Sequence, residues 1–342
     1  MSEIQSVLMD TTQQLHLRVR AYQRPFARPL KTARGSWKVR EGLLVRLEVG
    51  ATGNTGYGEA APLSDFGSES FKQARAFLQA LPGCLSANDL NEQINKAPPS
   101  TAFALASARD ALLHPPSLRP GVRTAALIAR EDPLEPLRLG GIRRFKLKLG
   151  LAQPEAEWGL LQDLVLRLKE DEKVRLDPNR AWSEEAWAFW RPRLNGIAAK
   201  VEFVEEPFPL NRLSLPKAVE KANRSPVPLA LDESLNPESL PRWIASQWPG
   251  YFVLKPSLCA DPASWLPLLT PFPERVVLST ALESGIGLSA ITRLAAQFTF
   301  TDHGLGIGTF FNDPFGLPQE NGRVRPLSPA EQETIWNLLP GV

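Results

Sequence analysis

Apolar and polar positions alternate over residues 15–20 and 42–49, the period of strands with one buried face, and Gly53-Asn54 stands between strand-like runs as a turn signal. Over 68–81 and 100–113 the apolar positions move to helical spacing. His114-Pro115-Pro116 closes the second helix, because proline has no amide to donate and collides with the preceding turn. Strands followed by helices predict a separate α+β domain over 1–120. Beyond it, short β-branched or apolar runs alternate with longer helical stretches, the signature of repeated βα units. Strands are predicted near 123–128, 144–149, 173–177, 201–205, 228–232, 251–255, 275–279 and 302–305, and helices over 154–170, 183–194, 237–247 and 287–297. Pro154 and Ser183 are placed as helix starts. Eight such strands predict a closed (β/α)8 barrel over 121–307. A final helix at 329–338 lies in a segment, 308–342, expected to return to the first domain.

With 342 residues, 43% hydrophobic and 22% charged, the chain has room for a barrel and an added domain and is too apolar to be disordered. A net charge of +2, spread along the chain, points to neither nucleic acid nor an anionic membrane, so a small-molecule partner is expected. Cys84 and Cys259 stand far apart, which suggests neither a zinc site nor a disulfide framework. No run of about 20 apolar residues occurs, and residues 1–20 lack a signal-peptide core, so a cytoplasmic protein is expected. Oligomeric state is left open.

The candidate chemistry lies at the strand ends. Lys148, Asp177, Glu205, Asp232 and Lys255 recur at separations of 29, 28, 27 and 23 residues, about one βα unit each. This rhythm puts them at one level, the C-terminal mouth where barrel enzymes keep their active sites. Singly, each carboxylate could cap a helix or pair with an arginine. Together, Asp177, Glu205 and Asp232 would repel in a low-dielectric mouth, and a hard divalent cation resolves that conflict: Mg²⁺, with Mn²⁺ as a substitute. Lys146 and Lys148, two apart on one strand, point to the same side, and Phe145, Leu147 and Leu149 take the other. Like charges so close are expected to lower each other's proton affinity and free Lys148 to act as a base. Lys255 would lie across the barrel. A metal beside a lysine base suits removal of a proton next to a substrate carboxylate. Arg175 points inward below Asp177, to balance the carboxylates or to reach the substrate. The three histidines, His16, His114 and His303, lack metal-pair spacing and are expected to be structural.

These residues are similar to those of the enolase superfamily, in the muconate-lactonizing-like subgroup with a Lys-x-Lys base, and the resemblance covers nearly the whole chain. Gly56-Tyr57-Gly58-Glu59-Ala60-Ala61-Pro62-Leu63 resembles the subgroup's capping-domain signature. Asp177-Pro178-Asn179-Arg180, Glu205-Glu206-Pro207, Asp232-Glu233-Ser234 and Lys255-Pro256 match its barrel motifs. The resemblance implies a modified TIM barrel with an α+β capping domain. It makes Asp177, Glu205 and Asp232 metal ligands, Lys148 the base, Lys146 its tuner, and Lys255 the cation facing it. Asn179 is carried over as substrate-binding. So are Ser284 and Gly285, from Glu283-Ser284-Gly285-Ile286-Gly287, a glycine-rich turn entering a helix that suits a substrate carboxylate. Residues 65–70 and 28–37 are expected as cap loops over the substrate. The implied reaction is Mg²⁺-dependent dehydration of 2-succinyl-6-hydroxy-2,4-cyclohexadiene-1-carboxylate, on the route to menaquinone or phylloquinone. N-acylamino acid racemases share the same lysines and ligands, so racemisation stands as an alternative. Asp302-His303-Gly304 replaces the Asp-x-Asp of dipeptide epimerases and argues against that branch. A non-catalytic binding or scaffold barrel is the remote third reading.

Overall fold

The N-terminal alternation builds an antiparallel sheet of order β3-β2-β1-β4, from β1 (Gln14–Thr32), β2 (Gly35–Val49), β3 (Thr55–Ala60) and β4 (Cys84–Ser86). In this computed structural model the described residues are 14–32, 35–50, 53–114, 121–128, 133–306 and 310–340. The expected domain limits near 120 and 308 fall outside them. Leu15 pairs with Val49, Leu17 with Leu47 and Val19 with Val45, so the apolar residues of both strands share a face. Three helices, α1 (Phe71–Ala80), α2 (Ala87–Lys96) and α3 (Pro99–Leu113), cover it, and Leu78, Leu90, Ile94, Ala104 and Leu112 complete that core. Ser70 and Ser86 begin α1 and α2 as capping boxes. Gly58 lets α3 lie directly on β3, since a Cβ there would stand 1.9 Å from the Ala104 carbonyl oxygen.

After β5 (Val122–Arg123), seven parallel strands follow in spatial sequence: β6 (Ala126–Ile128), β7 (Arg144–Lys148), β8 (Lys173–Asp177), β9 (Val201–Glu205), β10 (Leu229–Leu231), β11 (Tyr251–Leu254) and β12 (Val276–Leu278). The intervening helices are α4 (Leu134–Leu139), α5 (Pro154–Arg167), α6 (Glu184–Gly196), α7 (Leu215–Asn223), α8 (Leu240–Ala245), α9 (Pro262–Leu269) and α10 (Gly285–Ala295). They bury Trp187, Trp190, Trp243 and Trp265 with the outward faces of the strands. Pro154 stands at the start of α5, and the Ser183 side chain caps α6 by accepting from the Ala186 amide at 3.1 Å.

Two strand expectations change. The run predicted over 123–128 divides: β5 pairs antiparallel with β14 (Arg323–Val324), itself paired with β13 (Gln319–Glu320), and only β6 joins the barrel. The eighth position, 302–305, is filled without a regular ladder. Single parallel bridges join Thr124 to His303 and Ser279 to Gly304. The Ala125 amide donates to the His303 carbonyl and the Gly304 amide to that of Leu278, both at 2.8 Å, and the cylinder closes. The last helix, α11 (Pro329–Asn337), returns to the first sheet, where Ile335 and Trp336 pack with Tyr22, Leu44 and Tyr57. Among the described residues no helix is long and apolar enough to cross a membrane.

Candidate active site

Strand alternation sets the site. Along β7, Phe145 and Leu147 are buried on the outside while Lys146 and Lys148 face inward, opposite Arg175 and Asp177 of β8. Asp177 ends β8, Glu205 ends β9, Asp232 follows β10 and Lys255 follows β11. All seven, Arg175 included, line one cavity of about 370 Å³, with Asn179, at the C-terminal mouth of the barrel. Four strand steps separate β7 from β11 in a cylinder of eight positions, so Lys148 and Lys255 stand across the cavity from each other.

The carboxylates are buried and held by ammonium groups. Lys146 Nζ lies 2.8 Å from Asp177 and 2.7 Å from Glu205, and Lys255 pairs with Asp232. The expected mutual weakening of Lys146 and Lys148 is not what the charges around Lys146 produce. Burial disfavours its charge, but Asp177, Glu205 and Asp232 outweigh burial and raise its proton affinity above that of an ordinary lysine. Among the described residues Lys148 has no carboxylate partner, unlike Lys146 and Lys255. Burial pushes Glu205 up to about 8; Asp177 and Asp232 push the same way against Lys146 and Lys255. Glu233 rises to about 7, chiefly by burial and then by Asp232. Among the described residues no three side chains stand at metal-ligand spacing. The donor chemistry nevertheless fits a hard cation: three buried carboxylates on successive strands share one cavity, and their mutual repulsion is visible at Glu205.

Backbone strain marks the loops that follow these carboxylates. Asn179, Arg180 and Glu206 adopt left-handed conformations with φ of 46°, 66° and 40°. The Asn179 amide turns back to Asp177 Oδ1 at 3.2 Å, and its side chain donates to Glu233 at 3.4 Å. Arg175 does not pair with those carboxylates. It is buried on Glu202 at 2.6 Å, donates to the Asp302 carbonyl at 2.5 Å and stacks over Phe203, forming part of the cavity floor. His303 is structural: the Leu278 amide donates to its Nδ1 at 3.1 Å, and Nε2 faces the Ala295 and Phe298 carbonyls.

Ser284 and Gly285 do not reach the cavity. The helix N-terminus expected to receive a substrate carboxylate already holds one from the cap: Glu59 accepts from the Ser284 amide at 2.8 Å, the Gly287 amide at 2.9 Å and the Ser284 hydroxyl, and from Tyr22 at 2.5 Å. Two cap arginines fix the same loop, Arg40 through the Ala281 carbonyl at 3.2 Å and Arg24 through that of Glu283 at 2.8 Å. Glu283 accepts from Thr280 and from the Ala281 amide, so Ser279, Thr280, Ala281 and Leu282 form a braced section of cavity wall. From the expected cap loops, Leu30, Trp37 and Phe66 line the cavity together with Leu63 and Phe310, and the Phe66 ring lies 5.6 Å from Lys255 Nζ. Glu69, in the same stretch, instead caps α3 by accepting from the Ser100 and Thr101 amides at 3.0 and 2.8 Å.

A parallel barrel closed by an α+β cap, with facing lysines above strand-end carboxylates, is the arrangement of the enolase superfamily. Residues 132–269 match the family model described as enolase C-terminal domain-like, and residues 16–112 match the one described as MenC, N-terminal domain. An o-succinylbenzoate synthase of Thermosynechococcus vestitus is 36% identical over 303 residues, 84% of this chain and 91% of that protein. One from Pectobacterium atrosepticum is 30% identical over 77% of this chain and 80% of its own length. The chain belongs to the o-succinylbenzoate synthase family. The crystal structure of the synthase from Thermosynechococcus elongatus BP-1, complexed with Mg in its active site, superposes with a TM-score of 0.81 at 31% identity, over 95% of this chain and all of that one. A muconate lactonizing enzyme from Pseudomonas fluorescens shares the fold, with a TM-score of 0.76 at 20% identity over 96% of this chain and all of its own.

Proposed function

We propose that this protein dehydrates 2-succinyl-6-hydroxy-2,4-cyclohexadiene-1-carboxylate to o-succinylbenzoate and water, in menaquinone or phylloquinone biosynthesis. The observation that carries the reading is the pair Lys148 and Lys255, facing each other across a cavity ringed by Asp177, Glu205 and Asp232. Those three carboxylates would hold Mg²⁺, which when bound supplies positive charge to the substrate carboxylate as it becomes an enediolate. Lys148, the lysine without a carboxylate partner among the described residues, removes the ring proton beside that carboxylate as a neutral amine. As an ammonium it returns the proton to the ring hydroxyl, which leaves as water from the same face. The base is regenerated, and the ring gains its third double bond and aromaticity. Lys255 stays cationic on the opposite face, held by Asp232, and stabilises the developing charge. Asn179 orients the substrate from beside Asp177. Leu30, Trp37, Leu63, Phe66 and Phe310 exclude water above the ring. The free thiols Cys84 and Cys259 support a reducing, cytosolic setting.

The facing lysines also favour a second reading, racemisation of an N-acylamino acid, with Lys148 and Lys255 taking and giving the proton from opposite faces. The test is diene absorbance with purified protein and Mg²⁺, for wild type, Lys148→Ala and an EDTA control. Loss of the diene with appearance of o-succinylbenzoate, abolished by both controls, is expected. No turnover by folded, Mg²⁺-loaded wild type would refute the dehydration, and deuterium exchange into N-acylamino acids would then establish the racemase.

A further inference from the structure

We infer that Glu206 is a positioning residue that holds the three ligand-bearing loops in register, an inference that rests on the metal-dependent reading above. Glu206 is fully buried. One carboxylate oxygen accepts from the backbone amide of Asp232 at 3.0 Å and that of Ser234 at 3.4 Å. The other accepts from the Arg180 guanidinium at 3.0 Å, the Leu210 amide at 3.3 Å and the Ser234 hydroxyl. Its own amide donates to the Ala230 carbonyl and its carbonyl accepts from the Arg180 amide, both at 2.9 Å. A single side chain therefore reaches the loop after β8 through Arg180, the loop after β9 through Leu210, and the loop after β10 through Asp232 and Ser234. Those loops begin at Asp177, Glu205 and Asp232.

The chemistry of the contacts separates this role from ordinary packing. A buried carboxylate is costly unless several donors compensate it, and an apolar side chain would fill the same volume more cheaply. What an apolar side chain cannot do is accept from the Asp232 amide, which fixes the residue whose side chain faces the metal. The left-handed backbone at Glu206, with φ of 40°, turns its side chain away from the cavity just after Glu205 has pointed into it. Consecutive glutamates thus divide the work: Glu205 faces the cavity, where it would hold the cation, and Glu206 braces the loops on either side.

Mn²⁺ is the probe, titrated into the full-length protein and followed by electron paramagnetic resonance of the free ion. Glu206→Ala removes both side-chain acceptors and is expected to raise the Mn²⁺ dissociation constant by about 10–100-fold, the effect of losing a partner that orients metal ligands. Glu206→Gln keeps an oxygen for the Asp232 and Ser234 amides but turns its NH2 towards the Arg180 guanidinium and the Leu210 amide, which are donors themselves. It is expected to weaken Mn²⁺ by about three- to tenfold, less than alanine, a partial rescue that volume alone would not produce. Glu172, buried just before β8 at the opposite end of the barrel and paired with Arg138 at 2.8 Å, is the control. Glu172→Ala should lower stability and leave Mn²⁺ affinity unchanged. If Glu206→Ala does not fold, Ser234→Ala, which deletes one donor to Glu206, should weaken Mn²⁺ by about three- to tenfold. Unchanged affinity in folded Glu206→Ala, or in Ser234→Ala where that is the variant used, would overturn the inference. So would equal weakening by Glu172→Ala. A wild-type chain that takes up no Mn²⁺ would overturn the metal-dependent reading as well, which separates the two failures.

Discussion

Replacing Glu59 with alanine tests whether the cap is latched to the barrel by one carboxylate. In the native protein that group accepts from the Ser284 and Gly287 amides, the Ser284 hydroxyl and the Tyr22 hydroxyl, all buried. Hydroxyls can turn to other acceptors, but the two amides at the start of α10 cannot. Each orphaned buried donor costs about 1–3 kcal/mol, and loss of the negative charge at the helix N-terminus adds about 0.5–1 kcal/mol. Glu59→Ala should therefore destabilise the protein by about 2.5–7 kcal/mol. Glu59→Gln keeps one oxygen for the amides and gives up the charge, so it should cost about 1–2 kcal/mol. Urea unfolding of wild type and both variants measures this directly. The loop after β12 also lines the cavity, so steady-state kinetics of the folded variants should show KM rising more than kcat falls. A loss below about 1 kcal/mol for alanine, or equal losses for alanine and glutamine, would refute the reasoning, because neither is compatible with acceptor count controlling the latch.

Further tests follow from the buried charges. His303 is depressed to about 4, by burial first and then by Arg175, so it is neutral in the fold and charged in the unfolded chain below its ordinary value of 6.5. Its stabilising contribution is complete above pH 6.5 and is lost as pH falls towards 4, by about 3 kcal/mol in all; urea midpoints of His303→Gln should show a correspondingly smaller acid dependence. Arg175→Met leaves the buried Glu202 with its weaker partner Arg144 at 3.4 Å and should cost about 1–3 kcal/mol, while the double variant Arg175→Met/Glu202→Gln should recover part of it in a double-mutant cycle. Saturating Mg²⁺ at a hundred times its dissociation constant should stabilise the protein by about 2.7 kcal/mol, and EDTA should reverse this; unchanged thermal unfolding would count against the carboxylate site.

The barrel was legible because five strands, β7 to β11, each end in or run straight into a charge, as in Leu176-Asp177 or Val204-Glu205, and these boundaries match β8 and β9. Some helices were not: α9 reads PASWLPLL, apolar but for Ser264 and with Pro267 inside it, α4 spans only Leu134–Leu139, and α7 spans only Leu215–Asn223. The inward direction of Lys146 follows from alternation within one strand. Its raised proton affinity depends on carboxylates of β8 and β9 that strand periodicity does not place at 2.8 and 2.7 Å. The same limit hid the latch. Glu59 and Ser284 lie 225 residues apart, and a glycine-rich helix start looks alike whether it awaits a ligand or is filled by the protein's own carboxylate. Glu206 was visible as half of a Glu-Glu pair, but nothing local distinguishes the glutamate that faces the cavity from the one that braces its loops.

The closure of the barrel has one more consequence. Between β7 and β8 the register runs through five residue pairs from Arg144 and Lys173 to Lys148 and Asp177, whereas 302–305 is joined to each neighbour by a single bridge. Parting the cylinder there breaks fewer ladder pairs than parting β7 from β8, so amides of Ala125, Thr280 and Gly304 should exchange with deuterium before those of β8. Ser279 and Gly304, on the two edges of that junction, are also cavity wall. The junction of single bridges thus sets the most readily opened part of the cavity wall apart from the strands that carry the lysines and carboxylates.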